Sequence, residues 1–440
     1  MAERRNVNAS ERQPRHLASI LWRYSTFEAG DSSWSLIVVS TYFGTFLQVV
    51  LRRPGADFGW AVTVGALVVA VVSPLLGAAA DYSGRRQPYL RFCVAGVVLA
   101  TGCLTWATAT PIAIGLFVAA YICVNAAFMF FTAMIPAVGD EKNVASIVSS
   151  TVGFGYVGSL SCLLVLAPLV PRDELAGRVF LPMALIYLAC AVPAMYLAPD
   201  FTARRPSKIE VRVAYRRLTD TIQDARRYRS VFYFLIGDFF YENAVASVIT
   251  LMGLYSRNVI GFKASELTLL FGPAIGVAIL SAFAVFGPLI RAIGPKKTVL
   301  VDLALWLVVF ALVVTIQPGI ELRIGSIVLG AKPLFILTVA PLAGIGLAGV
   351  WSSSRVLLTA LTPVEKSGEF WGLYNLSGRT ASVVGDATWS GILTIFGEQS
   401  FGYRVAVVTL ALYILIGAWL VWLVPDVRPS VANFITSDSA

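Results

Sequence analysis

Charged residues are scarce in this sequence. Asp, Glu, Lys and Arg make up 13% of its 440 residues, whereas 57% belong to the hydrophobic set and the mean hydropathy is +0.76. A soluble domain carries about 25% charged residues. The shortage of charge therefore excludes an ordinary cytosolic enzyme and a disordered chain, and it indicates a protein that lies mostly in a membrane.

Cysteine and histidine are also rare. The five cysteines lie in apolar runs without the paired spacing of a metal site, so we interpret them as packing residues rather than a disulfide scaffold. The single histidine, His16, lies in the N-terminal tail and cannot supply a proton relay within a membrane. The sequence has no Walker-type phosphate loop, nucleophile elbow or metal-ligand set. It therefore predicts neither an enzyme nor a bound cofactor, and it argues against direct coupling to ATP.

Long apolar runs, in contrast, are abundant. Twelve can be distinguished, and twelve spanning helices of about 20 residues would use roughly 240 positions, which leaves no room for a separate catalytic domain. We expect an all-α integral membrane protein of twelve transmembrane helices. The predicted spans are residues 21–50, 60–80, 90–108, 111–136, 144–169, 178–198, 231–255, 266–290, 298–316, 334–354, 370–396 and 402–424.

Basic residues are unevenly distributed between the predicted loops. With both termini in the cytoplasm, the inside segments and the span ends next to them hold 24 Lys and Arg, and the outside loops and the span ends next to them hold 9. The positive-inside rule favours this orientation, and the compact loops favour a bacterial inner membrane. The net charge of +9 is then explained by the excess of basic residues on the cytoplasmic side of the lipid bilayer. No nucleic-acid partner is expected.

The longest polar interruption, Pro199 to Ser230, divides six spans from six. It carries nine Arg and Lys against four acids. We interpret it as a tether whose charges lie near anionic headgroups, and a partner or lipid site is the alternative. The predicted segments are an N-terminal tail, a six-helix bundle, the basic central loop, a second six-helix bundle and a C-terminal tail, at residues 1–20, 21–198, 199–230, 231–424 and 425–440.

A charged turn after the second span is repeated in the second half. The first copy is GAAADYSGRRQPYL, and its key residues are Gly77, Asp81, Gly84, Arg85 and Arg86. The second copy is GPLIRAIGPKK, in which Gly287 and Gly294 follow the first two glycines at an offset of 210 residues and Arg291 replaces the aspartate. Glycine permits the backbone angles of a tight turn. The repeat predicts two parallel, pseudo-symmetric six-helix halves.

The first copy resembles the signature loop between helices 2 and 3 of the major facilitator superfamily. The resemblance implies that its aspartate and basic residues help to hold a cytoplasmic gate. Three further segments, FEAGDSSW (27–34), GFGYVGSL (153–160) and EFWGLYNLSGRTASVVG (369–385), are similar to the vacuolar effluxer branch of that superfamily. This branch includes fungal vacuolar amino-acid effluxers and bacterial relatives. The resemblance covers nearly the whole chain and implies the major facilitator fold and secondary transport.

The sequence departs from the pattern of this branch at three acids. Glu28 stands where Asp is common, Asp31 where Asn is common, and Asp386 where Pro is common. The departures at Asp31 and Asp386 add charge within the predicted spans, so the substrate is expected to differ accordingly.

Ionisable residues within the spans are the main candidates for transport, because a charge in hydrocarbon is costly unless it meets water or a partner. Glu28 and Asp31 lie three residues apart on helix 1, and so they share a helical face. Asp238 and Glu242 lie four apart on helix 7 and also share a face. Clustered carboxyls in a low-dielectric cavity hold protons tightly, which predicts proton coupling. The alternatives are a capping role at the helix start or a bond to Arg23 for the first pair, and an internal salt bridge for the second.

Arg379 lies about nine residues into helix 11, where it stays charged and needs an anion. That anion is Asp386 two turns further on, an acid of helix 7, or a carboxylate of the substrate. The superfamily resemblance implies that helices 1, 4, 7 and 10 line the central path, which adds Asn125 and Asn243 as candidates. For such neutral residues, hydrogen bonds between helices are an equally good interpretation.

Two further patterns have structural interpretations. Asp302 lies near the predicted start of helix 9, where an acid favours the helix N-terminus. The glycine pairs Gly153 to Gly158 and Gly344 to Gly349 are typical of close helix packing or helix bending rather than phosphate binding.

The leading hypothesis is a monomeric secondary transporter, in which two bundles rock about a midplane site and carboxyl protonation couples a small polar solute to the proton gradient. Acids outnumber bases in the spans, which favours a substrate with an amine or other cationic group, with amino acids and small peptides first. One alternative is a transporter of metal or other cations. Another is a non-transporting scaffold or assembly factor whose basic central loop recruits a partner.

Overall fold

A computed structural model describes residues 22–83, 86–138, 141–197, 226, 228–324, 326–362 and 367–426. Within these ranges the twelve predicted spans correspond to twelve long helices. They are α1 Trp22–Val50, α2 Gly55–Ser83, α3 Gln87–Leu104, α4 Thr110–Val138, α5 Glu141–Leu166, α6 Phe180–Leu197, α7 Arg229–Tyr255, α8 Ala264–Ile293, α9 Pro295–Thr315, α10 Ala331–Leu361, α11 Ser367–Phe396 and α12 Ser400–Trp422. The prediction of an all-α integral membrane fold is confirmed.

Ten of these helices are long and apolar enough to cross a membrane. Within the described part of the chain, α5 and α11 contribute the shorter apolar stretches Gly153–Leu169 and Val383–Phe396. The chain is therefore a multi-pass integral membrane protein.

The first helix departs from regular α-helical geometry. Its segments Ser35–Phe43 and Phe46–Val50 are π-helical, with hydrogen bonds between residues five apart. The Thr41 hydroxyl donates to the Leu36 carbonyl at 2.8 Å, also five residues back, and so supports the wider turn. An apolar run does not predict this geometry, since it carries no information on which carbonyl each amide reaches.

The turn after the second span is shorter than predicted. α2 continues to Ser83, so Gly77 and Asp81 lie in the helix, and their assignment to the turn is wrong. In the second copy, Gly287 and Arg291 likewise belong to the last helical turns of α8. Gly294 then joins α8 to α9 with a φ of 87°, a left-handed conformation that glycine adopts without strain.

A short β-hairpin lies between α9 and α10. Strands β1 (Leu322–Ile324) and β2 (Ile327–Leu329) pair antiparallel, with Leu322 opposite Leu329. Apolar and charged residues alternate in β1 (Leu322–Ile324), whereas β2 (Ile327–Leu329) is apolar throughout. The hairpin adds to the all-α architecture an element that the sequence interpretation missed.

The described residues fall into two compact units. The first takes those within Met1–Pro54 and Val64–Ala214, and the second takes those within Gly55–Thr63 and Tyr215–Ala440. The first turns of α2 thus belong to the second unit. The limits of the five predicted segments stay a prediction.

In the first unit, α1 contacts both α3 and α5. The buried Trp34 indole donates to the Thr101 hydroxyl at 2.9 Å and joins α1 to α3. α5 crosses α1 closely at Gly158, where an added Cβ would lie 2.6 Å from the Cβ and 2.9 Å from the carbonyl oxygen of Ala29. Carbon atoms in contact are normally about 3.5–4.0 Å apart. The predicted packing role of this glycine is therefore confirmed.

The second unit shows similar close contacts. The buried Tyr255 hydroxyl donates to an α9 carbonyl at 2.6 Å. A Cβ at Gly344 of α10 would overlap the backbone of Ala274 in α8, so that this glycine also permits a close crossing. The Glu398 carboxylate, between α11 and α12, accepts a hydrogen bond from the Ala56 amide at 2.6 Å and so caps the first turn of α2.

Candidate functional site

Two acidic side chains of α7 lie side by side in the second unit. Asp238 is fully buried, Glu242 is half-buried, and the two carboxyls interact electrostatically. Tyr241 lies beside Asp238, yet neither Asp238 oxygen accepts a hydrogen bond of ordinary geometry within the described part of the chain. Two poorly compensated carboxyls on one helix face can bind a proton or a cationic group.

α10 supplies the partners of these acids. The Trp351 indole donates to Glu242 Oε1 at 3.1 Å. One helical turn further on, Arg355 interacts electrostatically with Glu242. A hydrogen bond of 2.7 Å between the buried Tyr241 and Ser354 hydroxyls fastens α7 to α10 at the same level. The α7 acids thus face an indole donor and a guanidinium.

α11 closes the site from another side. Tyr374 interacts with both α7 acids and lies beside the Arg355 guanidinium. A Cβ added at Gly378 would lie 3.9 Å from Glu242 Cγ, an ordinary van der Waals distance, so the backbone of α11 directly borders the carboxyl. The site is therefore built by three helices of one unit.

A second set of polar residues begins at Asn243, directly after Glu242, and reaches Ser247 just over one turn further along α7. The Asn243 side-chain oxygen accepts a hydrogen bond from the Gly385 amide of α11. The next residue, Asp386, is fully buried and lies beside Ser247 of α7. Among the described residues, no hydrogen bond of ordinary geometry reaches either Asp386 oxygen. The predicted residues Asp238, Glu242, Asn243 and Asp386 thus occupy one continuous contact between α7 and α11.

The other predicted site residues belong to the first unit. Glu28 and Asp31 are half-buried on α1, and Glu28 borders α5, where a Cβ at Gly155 would lie 3.2 Å from its Cγ. The Asn125 amide donates to the Tyr121 carbonyl of its own helix at 2.9 Å. The transport roles of these residues stay predictions.

Part of the predicted gate cannot be placed. Gly84 and Arg85 lie outside the described residues, as do the side chains of Asp81 and Arg379, whereas Arg86 is half-exposed directly before α3. The gate function and the three alternatives for the anion of Arg379 therefore stay predictions.

Asp302 does not occupy the start of α9. It is the eighth residue of that helix and only 1% exposed, so the expectation that it stabilises the helix N-terminus is wrong. α10 approaches it at Gly349, where a Cβ would overlap the carboxylate of Asp302, and at Gly346, where a Cβ would lie 2.7 Å from Trp306 Nε1. Gly349 is therefore a packing residue, as predicted.

The sequence interpretation missed Arg355 and Tyr374. Helix 10 was expected to end at Ser354, but it continues to Leu361 and carries Arg355 into the site. The spacing of four residues between Trp351 and Arg355 is the signal that places both on one face. Among the described residues, no group of three or more His, Cys, Asp or Glu is arranged to hold a metal ion.

Solved structures identify the fold. A crystal structure of the nucleoside transporter NupG is similar with a TM-score of 0.72 at 12% identity, covering 92% of this chain and 99% of that chain. This likeness defines the class of fold: an all-α integral membrane protein with the major facilitator fold.

Sequence comparisons give the family within this class. The family model described as "Vacuole effluxer Atg22 like" matches residues 139–432, well over half of the chain, and the chain belongs to this family. The model "MFS/sugar transport protein" matches residues 34–146. The "Uncharacterized MFS-type transporter YxiO" of Bacillus subtilis (strain 168) is 23% identical over 420 residues, covering 91% of this chain and 93% of the relative. An "Uncharacterized protein" of Aquifex aeolicus (strain VF5) is 24% identical over 401 residues, covering 90% and 94%.

Proposed function

We propose that the protein is a proton-coupled secondary transporter of a small polar solute, and that Asp238 and Glu242 couple solute movement to protons. The observation that supports this proposal is the pair of α7 carboxyls. They lie together within a candidate membrane span, and their oxygens accept few hydrogen bonds from the described residues. Such groups are retained in a span at a cost, which favours a role in an ion or substrate path. Alternating access then moves the solute and the protons together.

The favoured substrate carries an amine or another cationic group. Both α7 acids face the same contact region, and a cationic group would compensate them better than a neutral one. Amino acids and small peptides come first, and metal or other cations are the alternative. The similar solved structure is a nucleoside transporter, so nucleosides belong among the solutes to be tested. We further propose a monomer in a bacterial inner membrane, with both termini in the cytoplasm.

Proton flux in reconstituted vesicles tests this function. The purified protein is placed in proteoliposomes that contain a pH-sensitive dye, and amino acids, dipeptides, nucleosides and divalent metals are added one at a time. We expect a solute-specific proton flux that is lost in Glu242→Gln and in Asp238→Asn. Glu321→Gln is the matched control, because Glu321 is an exposed carboxylate directly before the hairpin, and this variant should keep the flux.

Each outcome has a distinct meaning. Flux that persists in both α7 variants would show that the coupling assignment is wrong. A response to metals only would favour the cation transporter. If the folded protein gives no proton flux with any solute, and a cellular phenotype depends on residues 204–217, the hypothesis of a non-transporting scaffold would be favoured.

A further inference from the structure

We propose that Asp302 of α9 is a second proton-binding site, separate from the acids of α7, and that its bound proton holds α10 against α9. The inference goes beyond the proposed function, because Asp302 lies outside the candidate site and its proton is not tied to any solute.

The surroundings of Asp302 offer nothing that stabilises a negative charge. The residue is 1% exposed, and neither of its carboxyl oxygens accepts a hydrogen bond from the described residues. α10 and α8 cover the carboxyl so closely that a Cβ added at Gly349 would overlap both the carboxyl and the ring of Phe286. An ionised carboxylate is strongly disfavoured in such apolar surroundings, whereas a protonated carboxyl is neutral. Asp302 therefore holds a proton in this arrangement.

The charged side chains of the neighbouring helices lie elsewhere. Lys296 and Lys297, in the first turn of α9, contact α12 and the segment directly after it. Arg291 of α8 is exposed, and Arg355 of α10 interacts with α11. Within the described ranges, no titratable or charged group faces the carboxyl of Asp302. A cation of the protein therefore does not replace the proton.

The surface of α10 that covers Asp302 is made by two glycines. One turn after Asp302, the indole nitrogen of Trp306 is also buried and has no hydrogen-bond partner in the described part of the chain. A Cβ at Gly346 would lie 2.7 Å from this nitrogen, just as a Cβ at Gly349 would overlap the carboxyl. There is thus no space for water between the helices at this level. Since an ionised Asp302 needs water or a donor, loss of its proton and separation of α10 from α9 are linked.

α10 also connects this site with the acids of α7. Trp351 follows Gly349 by two residues, which places the two about 200° apart around the helix axis and so on opposite faces. The Trp351 indole donates to Glu242 Oε1 at 3.1 Å. α10 therefore lies between two buried acids, and a movement of α10 away from Asp302 also moves the indole that binds Glu242.

Infrared difference spectroscopy of the purified protein at neutral pH tests for the proton directly, because the C=O stretch of a carboxylic acid is separate from the bands of a carboxylate. We expect the difference between wild type and Asp302→Asn to show a carboxylic-acid band. Gly349→Ala should weaken this band, because the added methyl group pushes α10 off the carboxyl and admits water. Gly115→Ala, which has no atom within 4 Å of its added Cβ, is the matched control and should keep the band.

A second measurement is the pH dependence of thermal unfolding in detergent. Above the ordinary titration range of a carboxyl, keeping the proton on Asp302 becomes less favourable by about a factor of ten per pH unit. The unfolding temperature of wild type should therefore fall relative to that of Asp302→Asn as the pH rises from mildly acidic to mildly alkaline. The difference between wild type and Glu321→Gln, which changes an exposed carboxylate, should stay constant.

Several results would overturn the inference. Carboxylate bands in the difference between wild type and Asp302→Asn would show that the site is ionised, and a constant difference in unfolding temperature between these two proteins would exclude a bound proton. An undiminished band in Gly349→Ala would refute the link to α10, and the spectrum of this variant also serves if Asp302→Asn does not fold. Proton flux that persists in Glu242→Gln would refute the proposed function and leave this inference intact.

Discussion

The close crossing of α1 and α5 makes a quantitative prediction for Gly158→Ala. The added Cβ would lie 2.6 Å from the Ala29 Cβ and 2.8 Å from its Cα, about 1 Å nearer than carbon atoms normally approach. Because two of the three nearest atoms are backbone atoms, a side-chain rotation cannot relieve the overlap, and the helices must separate. Overpacking of this kind costs about 1–3 kcal/mol. The higher helix propensity of alanine returns about 1 kcal/mol. We expect a net loss of stability.

Gly115→Ala provides the matched control. Gly115 lies in α4 with no atom within 4 Å of an added Cβ, so its substitution gains helix propensity without overlap. Thermal unfolding of the purified variants in detergent, followed by loss of the monodisperse peak, measures both effects. Gly158→Ala should unfold at a lower temperature than wild type, and Gly115→Ala at the same or a higher temperature. Equal shifts in the two variants would refute the close crossing.

Three further substitutions test single hydrogen bonds by the same thermal assay. Tyr241→Phe leaves the buried Ser354 hydroxyl without its 2.7 Å partner and should cost about 1 kcal/mol, whereas unchanged stability would mean that α7 and α10 are not joined there. Trp34→Phe removes the 2.9 Å bond to Thr101 between α1 and α3 and should cost about 1–2 kcal/mol, with no loss if that bond is absent. Glu398→Ala removes the carboxylate that caps α2 and should cost about 1 kcal/mol, while Glu398→Gln, which keeps an acceptor oxygen, should cost less.

The spans were predictable from the sequence because a membrane imposes a length and an apolar composition on each helix. Helix ends were less predictable. The polar residues at 352–355, three serines and an arginine, led to a predicted end of helix 10 at Ser354, yet the helix continues to Leu361. The Ser353 hydroxyl donates to the Gly349 carbonyl at 2.7 Å, so a polar residue is accommodated within the helix without ending it.

The candidate site was predictable only within a helix. The spacing of Asp238 and Glu242 fixes their common face, because both lie on the same regular helix. Their partner Trp351 lies 109 residues away from Glu242 in sequence, and no periodicity relates positions on different helices. Asp302 illustrates the same limit, because a helix-start rule ignores which neighbouring helix covers the position. Tertiary contacts therefore supply what local patterns lack.

The π-helical segments of α1 affect how this span tolerates insertions and deletions. A helix bonded between residues five apart holds more residues per turn than the 3.6 of an α-helix. A one-residue deletion within Ser35–Phe43 can be absorbed when the amides return to the carbonyls four residues back. The same deletion in the regular helix α9 would rotate every later side chain by about 100° around the axis. The number of residues, as distinct from their identity, is thus less constrained in α1 than in α9.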